Sequence, residues 1–381
     1  MKPLIPILLF AFTLAACSPE LLPVPVTQGP TLIPETPTSA PINSHVVAAP
    51  GLVSIHMLDE QNGWGINDQQ VLRTNDGGVT WYDVSPTKST QLGYAVSADF
   101  LDAHAWVLVP DANDPLSGSL FHSSDAGLTW STSQVPFGGG DLEFLDLKQG
   151  WMLASLGAGA GSMGVAVYQT SDGGQTWTRT YINDPNQTGA GDSLPLGGLK
   201  DGLTPVDIKT AWVGGVIYVP GEIYLYVTQD GGQTWKQSIV STPPGYEQAE
   251  LETRGPIFVD AKTAYLPVTL SSQNGVLLAM YISRDGGMSW LLTPKLIPQG
   301  GATDFVSTND GFVWSGSDFY VTHDGAQTWT TITPDVGFGD SFGGMDFVNP
   351  TTGFVLTSDA SGARALYKTT DGGATWNILS K

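Results

Sequence analysis

The chain has 381 residues, 47 of them glycine and 26 proline, with 15 basic against 36 acidic side chains for a formal charge of −21. So acidic a surface excludes the phosphate backbone of nucleic acid and the headgroups of anionic lipid as direct partners. Glycine and proline at this density exclude a bundle of long helices, and a single cysteine excludes any internal disulfide.

In chain order, residues 1–16 read as a lipoprotein signal peptide. Lys2 is its positive start and Leu4–Leu14 is mostly apolar, too short a run to span a membrane. Leu14-Ala15-Ala16-Cys17 resembles a bacterial lipobox, which implies cleavage before Cys17 and lipidation there. Residues 17–50 then form a Pro/Thr-rich tether. Residues 18–50 hold eight prolines, a composition that stays extended and builds no core.

Residues 51–381 are organised by one unit that occurs seven times, [ST]-x-Asp-[GA]-[GA]-x-[ST]-Trp. Its acids are Asp76, Asp125, Asp172, Asp230, Asp285, Asp324 and Asp371. Its aromatics are Trp81, Trp130, Trp177, Trp235, Trp290, Trp329 and Trp376. The acid and the Ser/Thr hydrogen-bond nearby backbone to close a tight turn, the glycines supply positive φ, and the indole opens the next strand and enters the core. Seven copies cannot all be one active site, so these carboxylates are structural. A second motif precedes each box: an apolar residue, usually Asp, a short turn, Gly or Ala, then an aromatic. Leu58-Asp59 to Trp64 and Val206-Asp207 to Trp212 are examples. It reads as a first hairpin, so each repeat is a sheet of four antiparallel strands, A to D, with the Asp box between C and D. Such a sheet cannot cover both faces alone. The expected fold is therefore all-β, a single seven-bladed β-propeller. Residues 45–50 are positioned to add a further strand.

The boxes resemble the Asp-box, or BNR, repeat shared by sialidases, sortilin-type receptors, xyloglucanases and the single-propeller photosystem II stability/assembly factors. The last group is nearest in size and pattern. That resemblance implies an extracytoplasmic, membrane-anchored propeller. The assembly factors carry an arginine-rich face, whereas this chain has only Arg73, Arg179, Arg254, Arg284 and Arg364. Arg73, Arg179 and Arg284 flank boxes and are expected on outer strands.

In propellers of this type the site gathers on the face of the B–C and D–A loops. The long segments there are 110–118, 157–164, 183–202, 241–255 and 333–345. The fourth concentrates Tyr246, Glu247, Glu250, Glu252 and Arg254, and the fifth holds Phe338, Asp340 and Phe342 among glycines. They are the candidate ligand-binding residues, an acidic and aromatic rim. His45, His56, His104, His122 and His323 show no metal-ligand spacing, and neither metal nor cofactor is expected. The expected function is a lipid-anchored, monomeric, non-enzymatic binding and assembly module for an envelope protein or glycan. The alternative is a glycoside hydrolase using loop carboxylates, for which Glu143, Glu222 and the Glu247–Glu252 group are the candidates.

Overall fold

The computed structural model describes residues 45–86, 92 and 96–380. All the described residues fall in one compact unit, Ile42–Lys381. Cys17 and the tether as far as residue 44 lie outside them.

Among the described residues there is no α-helix, only strands and the 3-10 turn Gly339–Ser341. The strands follow one another as four-stranded antiparallel meanders over residues 54–83, 97–135, 140–182, 199–237, 257–298, 303–332 and 342–380. The fourth and fifth are joined into one nine-stranded sheet by an additional strand, Glu250–Glu252. The strand expected from residues 45–50 is short. Val46 bridges Tyr82, and Val47 N–H donates to the Trp81 carbonyl along the outer edge of the first meander.

Each Asp box closes the same way. In the third, Thr170 Oγ1 donates to Asp172 Oδ1 (2.8 Å) and accepts from Gly174 N–H (3.0 Å). Asp172 also accepts from the Thr176 backbone (2.9 Å) and hydroxyl (2.6 Å). Burial works against the charge, but these bonds outweigh it and hold the carboxyl below its ordinary range. The two turn positions have positive φ in every box. Gly173 and Gly174 lie at 76° and 88°, and the departures Ala126 and Ala326 are held there at 60° and 66°. Trp81, Trp130, Trp177, Trp235 and Trp376 return their indole N–H to the carbonyl of the second turn residue.

The first Gly/Ala N–H of every box donates to the A–B turn of the same meander, as Gly77 does to Gln61 O and Gly173 to Lys148 O. Boxes and A–B turns therefore share one face. The B–C and D–A connections are left on the other.

The core lies between meanders. Seven apolar clusters each join one meander to the next, and the last returns from Phe354, Leu356 and Leu366 to Leu52, Met57, Leu72 and Trp81 of the first. Of the box rings, Trp81, Trp235 and Trp376 are buried, but the strand-B rings are buried in every meander. Trp64, Trp106, Trp151, Trp212, Tyr265, Phe312 and Phe354, all at the start of strand B, are at most 1% exposed. Trp130, Trp177, Trp290 and Trp329 are only half-buried. At ~200 Å² and ~25 cal/mol/Å², each strand-B ring contributes roughly 5 kcal/mol gross. The wedge that holds neighbours together thus belongs mainly to the second motif. Arg73 also departs from expectation. It is 7% exposed, with its guanidinium 4.6 Å over Trp64 rather than out in solvent.

Candidate functional site

The innermost strands carry a row of side chains two residues before the Leu or Val of each A–B turn: His56, Asp99, Glu143, Thr204, Ile257, Asp304 and Asp346. Three of these acids latch one meander to the next. Asp99 Oδ2 accepts from Phe144 N–H (2.6 Å), Asp304 Oδ2 from Phe347 N–H (2.7 Å) and Asp346 Oδ2 from Met57 N–H (2.6 Å). Glu143 would face residue 205, which is proline and has no N–H. Asp141, two residues earlier, accepts from Leu203 N–H (2.6 Å) in its place. Burial pushes Asp99 and Asp304 up to about 6 and Asp346 up to about 7. Glu143, buried beside Asp141 and Asp99, is held well above the usual carboxylate range. These groups are structural latches. They were legible in part, since Asp-Phe-[Leu/Val] recurs at residues 99, 304 and 346.

On the loop face, the distinctive region is the junction of the fourth and fifth meanders. An open cleft of about 530 Å³ is lined by Tyr218, Val219, Gln248, Glu250, Ser271 and Gln273. Val219 also borders a 280 Å³ depression lined by Glu222, Gln237 and Ile239. Tyr218, Val219 and Ile239 are 54%, 46% and 90% exposed, so the rim between the two hollows is apolar and open to solvent.

The Glu250–Glu252 strand builds one wall of the cleft. Glu250 pairs with Ser271 and Glu252 with Thr269, while Leu251 between them is fully buried. Its alternation of exposed, buried, exposed follows from the two-residue period of a strand. The chain then crosses closely over glycines. A Cβ at Gly202 would come within 2.1 Å of Arg254 O, and one at Gly214 within 2.4 Å of Gly255 N. Burial, then Asp201 and Glu250, pushes Glu252 up, while Arg254 acts as the counter-charge to Asp141, Asp201 and Glu252.

The structure therefore brings Tyr246, Glu247, Glu250, Glu252 and Arg254 to one junction. Their roles there differ. Tyr246 packs against the core between the two meanders. Glu247 is exposed and accepts Gly245 N–H from its own turn (3.0 Å). Only Glu250 lines the cleft. The expected open aromatic loop at residues 338–342 is corrected. Phe338 is 3% exposed, edge-on to Trp376 and Tyr367, and Phe342 stacks on Trp314 at 4.8 Å. Both rings fill the sixth–seventh interface because Gly337, Gly339 and the 3-10 turn fold the segment inward, and only Asp340 remains exposed. Segment 157–164 is likewise no loop. Strands B and C run on to a hairpin turn at Ala160-Gly161. Sequence reasoning missed Tyr218 and Val219, whose signal was an aromatic-apolar-proline run in a B–C connection, and Gln248, which lies in the segment 241–255 but carried no charge to mark it. Among the described residues, no three His, Cys, Asp or Glu side chains form a group suited to a metal.

Residues 226–237 match the BNR/Asp-box repeat model. The chain carries the BNR/Asp-box repeat. It is similar to the photosystem II assembly lipoprotein Ycf48 of Synechococcus sp. (strain CC9902), 24% identical over 293 residues, 73% of this chain and 74% of that protein. It is also similar to a xyloglucanase of Hypocrea jecorina (strain QM6a), 27% identical over 297 residues, 70% of this chain but only 29% of that enzyme. Two solved structures share the fold. YCF48 bound to D1 peptide superposes with a TM-score of 0.53 at 16% identity, over 86% of this chain and 93% of that one. An ulvan lyase does so with a TM-score of 0.53 at 10% identity, over 88% and 95%. The all-β propeller expected from the repeat is thus the observed architecture.

Proposed function

We propose that this Asp-box protein is a seven-bladed, non-enzymatic binding propeller, held at the outer side of a bacterial membrane through lipidated Cys17. Its ligand is a segment of a partner protein, docked in the cleft between the fourth and fifth meanders. The observation that carries this reading is the exposed Tyr218-Val219-Pro220 rim over a cleft walled by Glu250 and the Gln248 and Gln273 amides. An apolar anchor beside planar polar groups is what peptide recognition needs. Glu222, Glu247 and Glu250 around it favour a neutral or basic segment. Likeness to an assembly lipoprotein supports the same use. No helix among the described residues is long and apolar enough to cross a membrane; the anchor in this reading is Cys17 of the lipobox.

A peptide array read with full-length protein tests the reading. Neutral and basic peptides should bind, and Tyr218→Ala should abolish their binding while leaving the melting curve in place. Equal binding by wild type and Tyr218→Ala would overturn it. The glycoside hydrolase reading rests on Glu250 in a cleft of sugar-sized volume and on the xyloglucanase likeness. A screen with aryl glycosides decides it, since turnover abolished by Glu250→Gln would replace the binding-only function.

A further inference from the structure

We propose that the free strand-B edge of the third meander, Leu156 to Gly159, docks an extended segment of a partner protein, which adds to it as an antiparallel strand. Strands B and C outrun strand A furthest in the third and fifth meanders. In the third, strand A pairs with Gly150 to Ala154, and strand B continues to Gly159. In the fifth, strand A pairs only with Ala264 and Tyr265, and strand B continues to Ser272. The chain fills that fifth edge itself, since Glu250–Glu252 pairs antiparallel with Thr269 to Ser271. The filling strand comes from the long connection 238–256. The connection into the third meander is only 136–139, and it stops at capping the edge, where Gly139 O accepts Ser155 N–H (3.0 Å). Beyond that bond, no backbone among the described residues pairs with the same side of Leu156 to Gly159.

The free side carries open hydrogen-bonding groups. In an antiparallel ladder each residue turns its N–H and C=O to one side, and opposed residues face either together or apart. Met163 N–H donates away from strand B, to Leu196 O (3.0 Å), so Ala158 opposite it faces away from strand C. Its N–H and C=O therefore point to the free edge. A bulge at Leu156 separates this stretch from the capped Ser155, and the three residues left open match Glu250–Glu252 in length. Natural edges are commonly blunted by charge or proline, and Ser155-Leu156-Gly157-Ala158-Gly159 has neither. Gly157, Ala158 and Gly159 are all exposed. Charge selects the occupant. Asp141 and Glu143 sit on strand A opposite Leu153 and Trp151, along the same side of strand B. A second copy of this chain, itself at −21, is repelled from such an edge, whereas a neutral or basic segment is not. The hairpin also adjoins the proposed cleft, since a Cβ at Gly161 would come within 3.2 Å of Tyr218 Cδ2. Strand addition holds the partner segment of the binding reading by its backbone, and it rests on that reading.

An array of neutral and basic peptides, probed with full-length protein, tests this through backbone chemistry. N-methylation walked along a bound peptide should weaken binding by about tenfold at every second residue, the worth of one backbone hydrogen bond. Ala158→Pro, which removes the outward N–H, should weaken binding as much with the melting curve unchanged, and Ala158→Val should bind as wild type does. Amide exchange at Ala158 should slow in the complex. Binding lost in Tyr218→Ala but indifferent to N-methylation and to Ala158→Pro overturns strand addition and leaves the cleft standing. Binding lost in Ala158→Pro but kept in Tyr218→Ala leaves the edge standing and removes the cleft. An array with no bound peptide overturns both.

Discussion

Asp346 closes the ring of latches, and changing it to Asn should make the protein more stable at pH 8. Its Oδ2 accepts Met57 N–H from the first meander, and Asn keeps an acceptor there. Burial, more than the Met57 bond can offset and with Asp304 adding repulsion, pushes the Asp346 carboxyl up to about 7. An unfolded carboxyl titrates near ~3.9. Because the folded value is raised, the ionised form opposes folding above pH 7. That penalty is relieved as pH falls from about 7 toward 4. At ~1.4 kcal/mol per unit, the full relief is at most about 4 kcal/mol, with roughly two-thirds of it gained by pH 5. His56, His104 and His122 act in the opposite sense. Their folded values are lowered, so the stability they contribute is lost as pH falls below the unfolded value near ~6.5. They are common to both proteins, so the difference between variant and wild type isolates Asp346. Urea unfolding at half-unit steps from pH 5 to 8 measures it. Asp346→Asn should exceed wild type by about 2–4 kcal/mol at pH 8, and the gap should narrow steadily on acidification. A variant less stable at pH 8, by a margin constant with pH, would refute the buried-charge argument and leave the latch as a plain ionic hydrogen bond.

Lys200 is 4% exposed and donates to four carbonyls, those of Met163, Leu196, Gly197 and Gly198, at 2.9–3.2 Å. Lys200→Met orphans them and should cost about 3 kcal/mol, with faster amide exchange across residues 194–198; unchanged exchange there would contradict the cage. Ala326 is held at φ 66°, so Ala326→Gly should stabilise by about 0.5–1 kcal/mol in guanidinium unfolding, and a loss of stability would count against strain at that turn. Gly214→Ala brings a Cβ to 2.4 Å from Gly255 N and should cost about 2 kcal/mol or more while exposing residues 250–255 to limited proteolysis; a fully resistant segment would show that the crossing is looser than described.

The repeat was legible because its chemistry is local. Asp172 bonds groups two to four residues away, and no tertiary partner is needed to recognise that turn. Burial rank was not legible, because it depends on which rings reach the neighbouring sheet. Trp106 Nε1 donates to Gly173 O, 67 positions on, and spacing alone cannot show that. The same limit misplaced Phe338, whose glycine-rich surroundings look open in sequence but fold onto Trp314 and Trp376. Glu250 was found because glutamate is scarce and clustered there. Tyr218 and Gln248 complete its cleft from connections that look ordinary in one dimension.

The departures from the repeat account for where the cleft lies. Along the inner row, Thr204 stands where Asp99, Asp304 and Asp346 latch their neighbours, so the fourth meander offers no carboxylate to the backbone of the fifth; His56 and Ile257 offer none either, but among the described residues their junctions carry no inserted strand. At that junction the chain inserts Glu250–Glu252, which pairs with Val216 of the fourth meander and with Thr269–Ser271 of the fifth. Backbone pairing thus substitutes for the missing latch. The substitution has a geometric consequence. A latch is one half-buried carboxylate, whereas an inserted strand must bury one face, through Leu251, and expose the other, through Glu250 and Glu252. The loops that enter and leave it, with Gln248 on one side and Arg254 on the other, are carried onto the same face as the Tyr218 rim. A weak point in the ring's own cohesion is therefore also where the molecule presents side chains that the repeat does not dictate.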